Sequence, residues 1–305
     1  RITLATIGSV HNHMDDFRLF KYCVVDECHL CNSNGCMYKE FFEQRDDRVI
    51  IGLTASPFRM ERGYDGGSML KFLTRTRPRI FSKVLYVCQT GDLLKRGYIS
   101  PVKYFDVGQY LSFDIRRVKI NSTGADYDDE SLQLEYDRSG FMVDLENWTL
   151  RTLKPKDGSK RNGVLVFTRF VKESRYLVNR LMSKGVSAAL VSGETPKKER
   201  ERILADFKAR KIQVVANAAV LVQGYDYPAL DTVIVAHPTR SLTRWIQEVG
   251  RVVRLYEGKH SWCIDMCGNY KRFGGFEDLK IECPLGSSRW VVTSNGRQLT
   301  GVTLQ

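Results

Sequence analysis

From residue 163 to residue 249 strand and helix signals alternate with a regular beat, and that beat leaves few folds open. Residues 163–167, 188–191, 212–216 and 232–236 read as short apolar strands, 172–183 and 197–209 as helices, and 242–249 as the opening of a further helix. Strands this short and apolar are buried on both faces, and parallel neighbours need crossover connections, which the intervening helices supply. The expected fold class is α/β with parallel sheets. Residues 262–266 read as one more strand, and the chain beyond residue 280 as a short strand-rich tail.

The first half is less regular. Residues 2–7 read as an extended apolar strand, 21–25 and 48–53 as short buried strands, 38–44 as a helix and 63–67 as a loop. Residues 103–126 read as an irregular or β-rich connector, 129–153 as helical and 154–163 as a flexible loop. The implied organisation is a first domain at 1–100, a connector with linking helices at 101–160, a second α/β domain at 161–280 and a tail at 281–305. Asp26 and Glu27 follow one early strand; Thr54, Ala55, Ser56 and Pro57 follow the other. Ligands of parallel α/β sheets sit outside the carboxyl ends of strands, so both groups are expected on one rim.

Composition narrows the class. A chain of 305 residues is long enough for two cores, and 43% hydrophobic with 27% charged residues is ordinary for a folded domain. No apolar run approaches the ~20 residues of a membrane span, so no membrane partner is expected. The net charge of +12, spread in mixed-sign clusters, favours a polyanionic partner. Eight cysteines in a chain this large do not make a disulfide framework, and reduced thiols in a cytoplasmic compartment (bacterial, or the host's if viral) are the expectation. Cys28, Cys31 and Cys36 around His29 have partial zinc spacing. Cys28 and His29 lie inside an acidic motif, however, and no second Cys-x2-Cys pair follows, so zinc is not expected.

Two stretches carry chemistry. In Val24-Val25-Asp26-Glu27-Cys28-His29, adjacent carboxylates past a strand end could hold Mg²⁺ and orient a water, or simply bind nearby lysines. In Gln247-Glu248-Val249-Gly250-Arg251-Val252-Val253-Arg254, two arginines stand three residues apart, one helical turn. They could reach one anion together, or form a solvated basic face. A glycine inside a helix costs about 1 kcal/mol, so Gly250 points to close approach of backbone and ligand. Acids on one piece and paired arginines on another are the parts of a phosphoryl-transfer site assembled from two domains.

In these residues the chain resembles superfamily 2 helicases. Asp26 to His29 resembles the DExH form of motif II, Thr54-Ala55-Ser56 motif III, Val164 to Arg169 motif IV, Gly224 to Pro228 motif V and Gln247 to Arg254 motif VI. Ile51 to Arg59, Pro238 to Arg254 and Asp265 to Gly274 are most similar to RadD-type and bacteriophage branch-processing DNA helicases. The resemblance implies two RecA-like domains of the P-loop NTPase type, with ATP and Mg²⁺ as cofactors. It implies that Asp26 holds Mg²⁺ through water, that Glu27 activates the attacking water, that Gln247 bonds that water or a phosphate, and that Arg251 and Arg254 act on the γ-phosphate. Gly224 and Asp226 are expected at the nucleotide. His29, Thr54, Ser56 and Arg59 are expected to couple hydrolysis to nucleic acid. Thr6, Thr168, Arg169 and Gly193 are expected to grip DNA phosphates. The family's G-x-x-x-x-G-K-[ST] loop has no counterpart here, so the first domain is expected to be incomplete, lacking roughly a hundred amino-terminal residues.

The expected activity is that of an ATP-dependent DNA helicase or translocase on branched, forked or single-stranded DNA, in the company of replication or recombination proteins. An RNA helicase or a restriction-system translocase motor is the alternative among enzymes. A non-catalytic nucleic-acid-binding module is the alternative of another class.

Overall fold

A computed structural model describes residues 2–31, 36–44, 47–62, 68–76, 79–156, 158–218 and 226–302. The chain forms two compact units, one of residues 1–87, 283–291 and 300–305, the other of residues 88–282 and 292–299.

The first unit contains α1 (Ile7–Asn12), α2 (Met14–Phe17), β1 (Tyr22–Val25), α3 (Cys36–Glu43), β2 (Val49–Gly52), β3 (Phe58–Arg62) and β4 (Ser68–Phe72). β1 and β2 pair in parallel, Tyr22 opposite Val49 and Val25 opposite Gly52, with α3 in the crossover. Alternation turns Cys23, Val25 and Ile50 toward a core with Cys28, Cys31 and Leu73, and leaves Tyr22, Val24, Val49 and Ile51 exposed. Residues 2–7 do not form the expected strand. The Thr6 hydroxyl accepts the Ser9 amide at 3.2 Å, and this N-cap starts a helix at Ile7. β3 and β4 form an antiparallel hairpin, Phe58 opposite Phe72, that the sequence reading did not anticipate; its expected loop, 63–67, lies outside the described residues. Phe72 stacks on Trp290 with ring centroids 6.5 Å apart.

The second unit opens with α4 (Thr90–Lys95), β5 (Val102–Asp106), α5 (Asp129–Ser139) and α6 (Phe141–Leu153). It continues through β6 (Val164–Thr168), α7 (Val171–Ser183), β7 (Ala188–Val191), α8 (Lys197–Lys208), β8 (Val214–Ala218), β9 (Thr232–Ala236), α9 (Leu242–Val249), β10 (Ser261–Asp265) and α10 (Asn269–Phe273). The short strands β11 (Leu279–Glu282), β12 (Val291–Ser294) and β13 (Arg297–Gln298) follow. Strands β5 to β10 make a six-stranded, all-parallel sheet in the order β5-β10-β9-β6-β8-β7. β6, β8 and β9 are buried along their whole length, as their apolar runs require. The α/β class with a parallel sheet is as expected.

Residues 101–160 are not a connector. β5 pairs along β10, Val102 opposite Ser261, and Tyr136, Phe141 and Leu145 of α5 and α6 are fully buried in the core of the same unit. The helical signal over 129–153 breaks at Gly140, whose φ of 70° ends α5 by returning its amide to the Tyr136 carbonyl. β6 leads through α7 toward β7, whereas its neighbour β9 leads through α9 toward β10 on the opposite side. The carboxyl ends of β6 and β9 therefore flank a topological switch, where such sheets bind ligands. Among the described residues no helix is long and apolar enough to cross a membrane.

Leu177 of α7 is fully buried in the sheet–helix core. Leu177→Ala should cost about 2–5 kcal/mol of stability, read from urea unfolding.

Candidate functional site

In the first unit the motif is shaped by backbone stitching. The Leu53 amide donates to the Val25 carbonyl at 2.9 Å and the Cys28 amide to the Leu53 carbonyl at 3.0 Å, so the turn after β1 is sewn to the end of β2. Gly52 has no room for a Cβ, which would lie 2.6 Å from Cys28 Sγ and 2.7 Å from the Phe81 ring. Within this turn Asp26 Oδ1 accepts the Glu27 amide at 2.9 Å, and Glu27 takes a left-handed conformation, φ 49° and ψ 44°. That conformation costs an L-residue about 1–2 kcal/mol and survives here because the stitching on both sides over-determines it. Both carboxylates are exposed. Beneath them His29 is buried, its Nδ1 2.9 Å from Thr54 Oγ1 and 3.2 Å from Glu27 Oε2. Thr54 Oγ1 also accepts the Ser56 amide at 3.0 Å. Arg59 donates to the Cys31 carbonyl at 2.9 Å and pairs with Glu61 at 3.3 Å. Asp26, Glu27, His29, Thr54, Ser56 and Arg59 are thus brought into one local constellation.

An exposed, acceptor-only carboxylate at Asp26 suits a hard cation that keeps most of its water, as Mg²⁺ does. Among the described residues no cluster of three His, Cys, Asp or Glu could hold a metal.

In the second unit the site is shaped by buried charge. Ser241 caps α9 by accepting the Arg244 amide at 3.2 Å. Trp245 is fully buried and donates Nε1–H to the Gly274 carbonyl at 3.0 Å. Glu248 is wholly buried, with His237 Nε2 at 2.9 and 3.1 Å from its two oxygens and Arg244 Nε at 2.9 Å. Burial pushes the Glu248 carboxyl up, but the His237 and Arg244 charges and hydrogen bonds outweigh it and leave the group below its ordinary range. Asn269 extends this network. Its Nδ2 donates to the His237 carbonyl at 2.9 Å and to Asp265 Oδ1 at 3.1 Å, and its Oδ1 accepts the Thr239 amide at 2.9 Å. Asp265 accepts the Tyr270 amide at 2.7 Å; burial nonetheless raises it to about 7. His237, Glu248, Asp265 and Asn269 were not singled out as site residues. The Gly268-Asn269 pair within 265–274 was the one visible signal.

The expectation that Arg251 and Arg254 sit one helical turn apart is corrected. α9 ends at Val249, and both arginines lie in the irregular segment after it. Gly250 is the C-cap. A Cβ there would stand 2.8 Å from the Ile246 carbonyl, so the helix that Gly250 terminates already leaves no room for a side chain. Arg251 Nε donates to the Gln247 carbonyl at 3.2 Å, and Arg254 forms an ion pair with Asp226. Gly224 lies outside the described residues.

Two expected phosphate contacts are otherwise engaged. Thr168 is fully buried, its hydroxyl donating to the Phe170 carbonyl at 3.0 Å and lying 2.8 Å from Ser174 Oγ. Arg169 is held by Asp126 at 2.8 Å and Asp129 at 2.7 Å. Each side chain is taken up by its own domain, because the acids and hydroxyls that partner it are distant in sequence or turned inward. Gly193 sits on an exposed turn after β7 with open space around it, and Thr6 remains an exposed cap of α1.

Two outcomes test these arrangements. Glu248→Ala deprives the buried His237 and the half-buried Arg244 of their shared acceptor and should cost about 3–5 kcal/mol in thermal or urea unfolding. Burial lowers the His29 pKa, with Glu27 opposing, so its contribution to stability is full above the ordinary value near 6.5 and is lost as pH falls from there through the lowered folded-state value. His29→Gln should therefore lessen the drop in melting temperature seen on acidification from neutral pH.

Residues 147–256 match the family described as the Helicase conserved C-terminal domain. The protein named "Putative mitochondrial ATP-dependent helicase irc3" of Schizosaccharomyces pombe is 28% identical over 283 residues, 89% of this chain and 42% of its own length. The chain spans about half the length of the curated relatives it matches. Among solved structures, the fragment of a "putative HsdR subunit of a type I restriction enzyme" from Vibrio vulnificus YJ016 aligns with a TM-score of 0.60 and 20% identity, over 88% of this chain and 49% of that one. The ATP-dependent Type ISP restriction-modification enzyme LlaBIII bound to DNA aligns with a TM-score of 0.56 and 19% identity, over 86% of this chain and 19% of that one. The fold is that of RecA-like helicase domains, and within it residues 147–256 are similar to the helicase conserved C-terminal domain.

Proposed function

We propose that this chain belongs to an ATP-dependent nucleic-acid motor, and specifically to a DNA helicase or translocase that acts on branched or forked DNA. The observation that carries the reading is the turn at Asp26-Glu27, strained at Glu27 and joined through His29 to Thr54. A structural acid pair needs no left-handed glutamate, whereas a water-activating carboxylate needs a fixed direction. The relative in Schizosaccharomyces pombe, described as an ATP-dependent helicase, and the DNA-bound restriction enzyme of similar fold support the class and the choice of DNA.

In this reading Asp26 holds Mg²⁺ through water, and the cation would neutralise phosphate oxygens. Glu27 accepts a proton from the attacking water. His29, neutral because it is buried, transmits the position of Glu27 to Thr54 and Ser56. Gln247 orients water or phosphate, and Arg251 and Arg254 offset charge that develops on the transferring group. Asp226, paired with Arg254, ties that arginine to the nucleotide-facing loop.

In the intact protein, Glu27→Gln should lower nucleic-acid-stimulated ATP hydrolysis by about 10²-fold or more while ATP binding persists. The wild type should be stimulated more by forked DNA than by linear duplex or RNA. Strongest stimulation by RNA would favour an RNA helicase, and hydrolysis with none of the three would favour a binding module.

A further inference from the structure

Beyond Val249 the backbone carbonyls of the arginine segment have no helix to donate to them, yet those of Val252, Val253 and Arg254 are all gripped. Val252 O accepts the Ser261 hydroxyl at 2.7 Å, and Val253 O accepts the Ser100 amide at 2.7 Å. Arg254 O accepts the Ser100 hydroxyl at 3.1 Å and also the Lys259 ammonium. The same ammonium donates to Pro228 O at 2.9 Å, on the loop that carries Asp226. A tight turn brings Lys259 back to this position: its amide bonds Tyr256 O at 3.2 Å, and Gly258 adopts a φ of 69° that suits glycine.

We propose that Lys259, seconded by Ser100, is a positioning residue for the arginine segment. One ammonium clamps Arg254 of motif VI to Pro228 of motif V, and thereby holds the Arg254–Asp226 pair in register. This rests on the reading of Arg254 as a phosphate-facing arginine. The geometry favours a clamp over a solvated lysine because both acceptors are main-chain oxygens, one on each of the two loops, and a charge-assisted bond to each is stronger than a neutral one. Burial brings the Lys259 pKa down to about 8, with Asp231 opposing and Arg254 adding to the fall, so the ammonium remains charged at neutral pH. Lysine suits the task because its three donors radiate from a single point.

The test uses the intact protein and nucleic-acid-stimulated ATP hydrolysis. Lys259→Met should lower kcat by about 10-fold with KM for ATP changed less than about threefold, and with the melting temperature nearly unchanged. Lys259→Arg, which keeps charge and donors, should restore most of kcat. Ser100→Ala, which removes one of the two grips on Arg254 O, should cost about threefold in kcat and provides a second reading if Lys259→Met folds poorly. Wild-type kcat in both Lys259→Met and Ser100→Ala, or equal loss in the Met and Arg variants, would overturn the clamp. Arg254→Ala run in parallel separates the two levels. If it is inactive while the clamp variants are normal, only the clamp fails; if it is fully active, the assignment of Arg254 fails.

Discussion

A carboxylate withdrawn wholly from water must be answered on all sides, and Glu248 is placed by that demand. Its two oxygens take His237 Nε2 and Arg244 Nε at hydrogen-bond distance. Removing either partner would leave charge in a medium that cannot solvate it. The requirement then spreads, because the His237 carbonyl is held by Asn269 and Asn269 by Asp265. The ends of β9 and β10 and the helix that precedes the arginines are joined by one buried polar chain. Apolar packing around it could be satisfied by several arrangements of similar volume; the polar chain admits one.

The first unit reaches order by another route. The backbone of Glu27 is held by main-chain hydrogen bonds on both sides and by the close contact at Gly52, while its exposed carboxylate meets the buried His29. The strain at Glu27 is small beside what those bonds and the Cys28–Cys31–Leu73 cluster contribute, so the turn can keep an unfavourable backbone angle without unravelling.

Much of this was legible in the chain. Strands at 188–191 and 232–236 and the helix at 242–249 fall where periodicity places them, because apolar period and polar breaks agree there. Asp26 to His29 after β1 and Thr54 to Ser56 after β2 also come together, as their order along two adjacent parallel strands implies. What failed did so for physical reasons. Residues 2–7 spell an extended run, but residues 2–6 form no strand and Thr6 caps a helix that starts at Ile7. The β3–β4 hairpin is only five residues a side, so its alternation of Phe58 and Met60 with Arg59 and Glu61 covers little chain. Arg169 looks available until Asp126, 43 residues away, is folded against it. Nothing in the spacing of His237 and Glu248, eleven residues apart across a loop, announces that they pair.

The Arg254–Asp226 pair has one more consequence. Both side chains are about half exposed, so solvent screens their attraction and neither is held firmly by the other. The guanidinium is parked rather than locked, aimed by the grips on its own main chain while its charge rests on a replaceable carboxylate. A polyphosphate could take that carboxylate's place without altering the arginine's posture, and the displaced Asp226 would then repel a weakly bound competitor anion. An exposed ion pair of this kind is cheap to exchange for a partner of higher charge.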